Sequence, residues 1–154
     1  FDFTPGCGMR CELLLGADPY HVRYTVPEIP GSNRNILDEK EGYARHLYYA
    51  FVFGMLYDVS LWRGRIPGTM DDFPGYTAVL ERCLQLRDRY RDFFLNARAE
   101  PAERDEGAPA GVTVVRYRRG ARCLLCIWND TTAPVTVHGT TVPAQASATV
   151  DYAE

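Results

Sequence analysis

Two glutamates are the first candidates for chemistry in this sequence. Glu12 stands in MRCELLL among apolar neighbours, where an unpaired charge is costly. Glu28 follows HVRYTVP directly. A carboxyl group held where a strand ends can act as acid, base or nucleophile. Each has a plainer reading beside that one: a surface or salt-bridged carboxylate for Glu12, and for Glu28 a loop carboxylate bonded to nearby backbone or arginine. Asp2, between Phe1 and Phe3, is a third candidate. His21, Arg23 and Tyr24 precede Glu28, and Asn33, Arg34 and Asn35 follow it. Arginine donates through a planar fork, and a tyrosine ring offers a flat apolar face. Alternation along a strand puts His21, Arg23 and Thr25 on one face and Val22, Tyr24 and Val26 on the other. One of those faces is expected in the core.

The cysteines and histidines do not form a comparable constellation. Cys123-Leu-Leu-Cys126 has the spacing of a metal or redox pair, but it lies inside a strand-like run. Residues three apart on a strand fall on opposite faces, so the two thiols cannot meet on one ion. No second pair completes a zinc site, and both are assigned to core packing. His46 lies on an apolar helix, and His138 precedes Gly139 in a turn. No metal and no cofactor is expected. Cys7, Cys11, Cys83, Cys123 and Cys126 make an odd number with no evident disulfide framework, which fits reduced thiols in a reducing compartment.

The element that must organise these residues is Tyr43–Trp62, YARHLYYAFVFGMLYDVSLW. Its centre, Leu47–Tyr57, carries no formal charge and is apolar on every face of a helix drawn through it. Such a helix must be covered on nearly all sides. It is too short to span a bilayer, which takes roughly 20 apolar residues. Asp38 and Glu39 suit a helix start, so a helix is expected from about Asp38 to about Asp58. Upstream, Phe1–Thr4, Met9–Leu15 and His21–Val26 read as strands, the second alternatively as a short helix. Arg63–Phe73 reads as a loop with Asp71 or Asp72 as a helix cap. Tyr76–Leu95 carries a 3.6-residue apolar stripe and Pro74 a tolerable first-turn position. Arg87–Arg91, interleaved with Asp88 and Asp92, reads as a solvated face. Ala97–Ala110 is a polar connector. After Gly111 the periodicity becomes strand-like throughout, with turn signals between short runs, which predicts antiparallel hairpins.

The 154-residue composition is that of a globular protein, with 46% hydrophobic and 24% charged residues. A net charge of −3 gives no electrostatic case for nucleic acid. No signal-peptide pattern is present, and the chain begins at Phe1. We expect it to be cut from a longer protein.

Three stretches carry a resemblance: RYTVPE (Arg23–Glu28), LQLRDRYRDFFL (Leu84–Leu95) and VTVVRYRRGARCLLCIWND (Val112–Asp130). Their order is similar to the C-terminal end of glycoside hydrolases in which a (β/α)8 barrel is followed by a β-sandwich. The resemblance implies an α/β fold: terminal strands and helices of such a barrel over residues 1–100, then a small antiparallel β-sandwich over 111–154. A complete barrel takes about 250 residues, so only its last strands and helices can be present. The implied chemistry is cleavage of a glycosidic bond by two carboxyl groups. If Met9–Glu12 is the seventh barrel strand, Glu12 resembles the nucleophile that one large clan places there, and its acid partner would come from an earlier strand. Arg23, Tyr24, Asn33 and Asn35 would line a carbohydrate site. Neither nucleic acid nor a membrane is an implied partner. The alternatives are a non-catalytic α+β module that binds sugar or a protein partner, and a transferase or isomerase on the same barrel.

Overall fold

The computed structural model describes residues 23–26, 42–59, 62–63, 66–67, 71, 74–97 and 99–153. Strand β1 (Arg23–Val26) leads through helix α1 (Gly42–Val52) to strand β2 (Leu56–Val59). The two strands run parallel, in register from Arg23 opposite Leu56 to Val26 opposite Val59. Parallel neighbours need a crossover connection, and here α1 lies within it. Strands β3 (Trp62–Arg63) and β4 (Ile66–Pro67) form a short antiparallel pair in the stretch expected to be loop. Helices α2 (Pro74–Arg89) and α3 (Arg91–Asn96) follow. The remainder is β5 (Glu103–Arg104), β6 (Val112–Arg119), β7 (Arg122–Asn129), β8 (Val135–Val137), β9 (Thr140–Val142) and β10 (Ala146–Ala153). Four of these strands make an antiparallel sheet in the order β10-β7-β6-β5, and β8 and β9 form a separate hairpin.

The helix expected to reach Asp58 stops at Val52. The Gly54 N–H donates to the Phe51 carbonyl and the Met55 N–H to the Ala50 carbonyl, both at 2.9 Å. With Gly54 at φ 70°, these are the paired bonds of a Schellman cap. The Tyr117 hydroxyl donates to the Val52 carbonyl at 2.8 Å from the sheet side. The chain leaves this cap as β2. A buried helix and a buried parallel strand are both continuously apolar, so the sequence concealed the change of element.

The second helix also differs from its expected bounds. It begins at Pro74, whose missing N–H costs nothing in a first turn. It breaks at Tyr90 (φ −108°, ψ 22°) before continuing as α3. After the break Phe93 and Phe94 are buried. The connector Ala97–Ala110 contributes β5, which pairs with β6 at Arg116 and Val115. Among the described residues the parallel part amounts to two strands and closes no barrel. The β module is one sheet with helices on one face and a hairpin on the other.

The two sheet faces bury separate clusters. Val115, Tyr117, Leu124, Cys126 and Trp128 pack with Leu47, Tyr48, Phe51, Phe93 and Phe94 of the helices. Tyr48 stacks on Trp128 with centroids 5.4 Å apart, and Phe94 meets Tyr117 edge-on at 4.8 Å. Val112, Val114, Cys123, Leu125 and Ile127 pack with Val142 of the hairpin. Asn129, fully buried, ties that hairpin to β7. Its Nδ2 donates to the carbonyls of Ala133, Val142 and Pro143 at 2.8, 3.1 and 3.0 Å. Its Oδ1 accepts from the Thr131 N–H at 3.0 Å and hydroxyl at 2.7 Å.

Candidate functional site

The parallel pair has a defined back wall. Tyr57 of β2 donates its hydroxyl to the Leu47 carbonyl of α1 at 2.5 Å. The Arg87 guanidinium, from α2, lies 5.6 Å from the Tyr57 ring centroid and 5.0 Å from that of Phe94. Its Nη1 donates to the Gly54 carbonyl at 3.0 Å. Its Nε and Nη2 are buried without a hydrogen-bond partner among the described residues. Arg87 is thus held by two rings and one carbonyl, a cation–π arrangement and not the solvated residue expected from its charged neighbours. The signal that could have revealed it is the i, i+4 spacing from buried Cys83, which puts Arg87 on the core stripe.

Cys83 and Tyr57 are hydrogen-bonded beside Arg87. Burial pushes the Cys83 thiol up to about 11, against the opposing pull of the Tyr57 bond and the Arg87 charge. Burial likewise raises the Tyr57 and Tyr76 hydroxyls. All three are neutral near pH 7, and a protonated buried thiol is no nucleophile. The helix-covered side of the strand pair is therefore structural.

Glu12, Glu28, Asn33 and Asn35, with Asp2, His21 and Arg34, lie outside the described residues. Arg23 and Tyr24 are consecutive on β1, and alternation gives them opposite faces. Tyr24 stands opposite Tyr57 in the ladder. Arg23 stands opposite Leu56. Glu28 comes two residues after Val26, where β1 ends.

The thiols of the Cys-x-x-Cys run are split between the two sheet faces, Cys126 in the helix-side cluster and Cys123 in the hairpin-side cluster. His138, at φ 48° in the β8–β9 turn, hydrogen-bonds through Nε2 to Asp105 Oδ2 at 2.7 Å. The Gly107 N–H, ahead of His138, holds the Asp105 carboxyl below its usual range. A polar cleft of about 450 Å³ opens where the end of α2 and α3 meet the sheet, lined by Arg89, Tyr90, Asp92, Phe93, Arg122 and Asp151. Its carboxylates are committed: Asp92 pairs with Arg119, and Asp151 with Arg122. Exposed pairs of this kind contribute about 0–1 kcal/mol each.

No protein-family model matches the chain, and no curated protein matches it. Among solved structures the chain has a weak likeness to a GH30 endoxylanase from Clostridium papyrosolvens C71, with a TM-score of 0.37 and 13% identity. The match takes in 86% of this chain and 42% of that one, so this chain spans less than half the length of the endoxylanase.

Proposed function

We propose that this chain is the C-terminal part of a carbohydrate-active glycoside hydrolase, in which the last strands of a (β/α)8 barrel pass into an antiparallel β domain. The observation that carries the reading is the order β1–α1–β2–α2, with β1 and β2 parallel and adjacent, followed by the antiparallel sheet. A strand–helix–strand crossover with a further helix behind it is the repeating unit of such barrels. Reactive side chains in these enzymes come from the C-terminal ends of the strands. Glu28, two residues beyond β1, suits that position. Glu12 is the second carboxylate of the proposal, and Arg23, Tyr24, Asn33 and Asn35 are its substrate contacts. One carboxyl protonates the leaving oxygen, and the other attacks the anomeric carbon or activates water. The two glutamates need not be each other's partners, because an upstream strand of the barrel can supply the acid.

The test is a panel of aryl glycosides and polysaccharides offered to the complete polypeptide, with Glu12→Gln and Glu28→Gln beside the wild type. Loss of a participating carboxylate is expected to lower kcat by about 10²–10⁴-fold with folding preserved. Restored turnover with added azide, giving a glycosyl azide, identifies the nucleophile. No cleavage of any glycan by the wild type, or near-normal turnover in both variants, overturns the reading.

A further inference from the structure

The closed end of the β6–β7 hairpin carries two arginines face to face. Arg119 and Arg122 stand opposite each other in the ladder. Like charges directly opposite destabilise a strand pair. Each is offset by one carboxylate, Asp92 of α3 for Arg119 and Asp151 of β10 for Arg122. A third guanidinium comes from Arg89, the last residue of α2. It stands 5.5 Å from the Tyr90 ring centroid, and it has no carboxylate partner among the described residues. Three arginines against two aspartates leave this corner with a net charge of +1.

Arg89, Arg122 and both aspartates border one cleft of about 450 Å³, a volume suited to a small molecule. The Arg122 guanidinium lies 5.2 Å from the ring centroid of Phe93, which is buried, so it is held against a fixed surface. Phe93 and Tyr90 meet edge-on with centroids 6.4 Å apart, so the two guanidinium groups rest on neighbouring rings. The hairpin end is fixed too. The Gly120 N–H donates to Glu100 Oε1 at 3.1 Å, and Asn96 Nδ2 donates to the same oxygen at 2.7 Å and to the Arg118 carbonyl at 2.8 Å. A guanidinium has five N–H donors. Arg122 gives one, from Nη2, to Asp151, and Arg89 gives none to a described residue. Both aspartates meet their arginines through Oδ2, and neither Oδ1 accepts a bond from a described residue.

We propose that this cleft binds a small hydroxylated carboxylate of the sugar-acid type. The carboxylate lies between Arg89 and Arg122, whose planar forks suit its two oxygens. Hydroxyls of the same molecule donate to Oδ1 of Asp92 and of Asp151. One carboxylate brings the corner to neutrality, whereas a phosphate dianion would reverse its sign. Binding is noncovalent, with no bond made or broken. The proposal is independent of the glycoside hydrolase reading, since its four charged residues belong to α2, α3 and the antiparallel sheet.

Titration calorimetry at low salt, on the complete polypeptide, compares gluconate, acetate, glucose and inorganic phosphate. Gluconate is expected to bind most tightly of the four. Arg89→Gln, at an exposed position, is expected to weaken gluconate about tenfold, the scale of a hydrogen bond to a charged group, at an unchanged melting temperature. Arg122→Gln is expected to weaken it at least as much. No saturable binding of gluconate overturns the proposal. Equal affinity for glucose removes the carboxylate's part, and equal affinity for acetate removes that of the hydroxyls. Tighter binding of phosphate refutes the assignment to a carboxylate. Each of these three results also overturns the proposal. Wild-type gluconate affinity in Arg89→Gln puts the binding elsewhere and overturns it as well. Should either glutamine variant fail to fold, Arg89→Lys decides: a charge without the fork must still weaken gluconate, and a wild-type affinity refutes the proposal.

Discussion

Replacing Gly54 with alanine tests the cap that turns α1 into β2. Residue 54 has φ 70°, and a Cβ there would lie 2.8 Å from the Tyr117 hydroxyl and 3.4 Å from Phe94 Cδ1. The left-handed conformation costs a non-glycine residue about 1–2 kcal/mol. The hydroxyl must also move, which sacrifices its bond to the Val52 carbonyl for about another 1 kcal/mol, or more where a buried group is left unpaired. The single substitution should therefore cost about 2–4 kcal/mol. Tyr117→Phe removes the clashing atom and the bond together, at about 1–2 kcal/mol. In that background Gly54→Ala retains only the backbone strain, so the two substitutions should cost about 1 kcal/mol less together than their sum. Urea unfolding followed by tryptophan fluorescence measures all four corners of the cycle. Strictly additive effects, within about 0.5 kcal/mol, would refute the claim that Gly54 and Tyr117 form one device.

Asn129→Ala removes a buried amide whose two N–H groups are shared among three carbonyls and whose oxygen accepts two hydrogen bonds, and should destabilise the chain by about 3 kcal/mol or more. Hydrogen exchange should show the loss first in β8 and β9, and unchanged protection there would contradict the tie. Asp105 has its carboxyl held down by the Gly107 N–H and then by His138, so its stabilising effect exists above the unfolded carboxylate pKa and is lost as pH falls through its depressed folded value. Urea midpoints for wild type and Asp105→Asn should thus differ near pH 5–7 and converge in strong acid, whereas a gap that widens in acid reverses the sign and the argument. Cys83, Cys123 and Cys126 are buried and unpaired with each other, and burial holds the Cys83 thiol up at about 11 and raises Cys126 further. Thiol reagents at pH 7.5 should label them at the rate of unfolding, and immediate labelling of any of these three in the native chain, read by peptide mapping that separates them from Cys7 and Cys11, would show that their burial is wrong.

How far the sequence reveals this fold depends on how local the cause is. The cover demanded by an all-round apolar helix was legible, and Leu47, Tyr48, Ala50, Phe51 and Val52 are indeed buried. The split of Cys123 and Cys126 between faces follows from a two-residue repeat and needs no tertiary knowledge. The end of α1 was not legible, because its cap depends on Tyr117, far along the chain, as well as on Gly54 itself. Arg87 was misjudged for the same reason: its aspartate neighbours suggested solvent, while Tyr57 and Phe94 provide its true surroundings. Of the site, Arg23 and Tyr24 were assigned to opposite faces by alternation, and the register sets them opposite Leu56 and Tyr57 of β2, a pairing that no local pattern gives.

The stack of Tyr48 on Trp128 has a consequence for how the chain is made. During translation the apolar stretch around Leu47–Met55 leaves the ribosome roughly 80 residues ahead of the sheet residues that shield it. At about 5–20 residues per second, that is an interval of roughly 4–16 s with Phe51, Phe53 and Met55 lacking their lid. An isolated helix of this length, 11 residues, is marginal in water, so the interval is spent as an apolar segment that has not yet gained the cover its helix needs. A holdase engaged at this stage, or a translational pause placed after β7, would govern the yield of this protein more than any contact in its finished state.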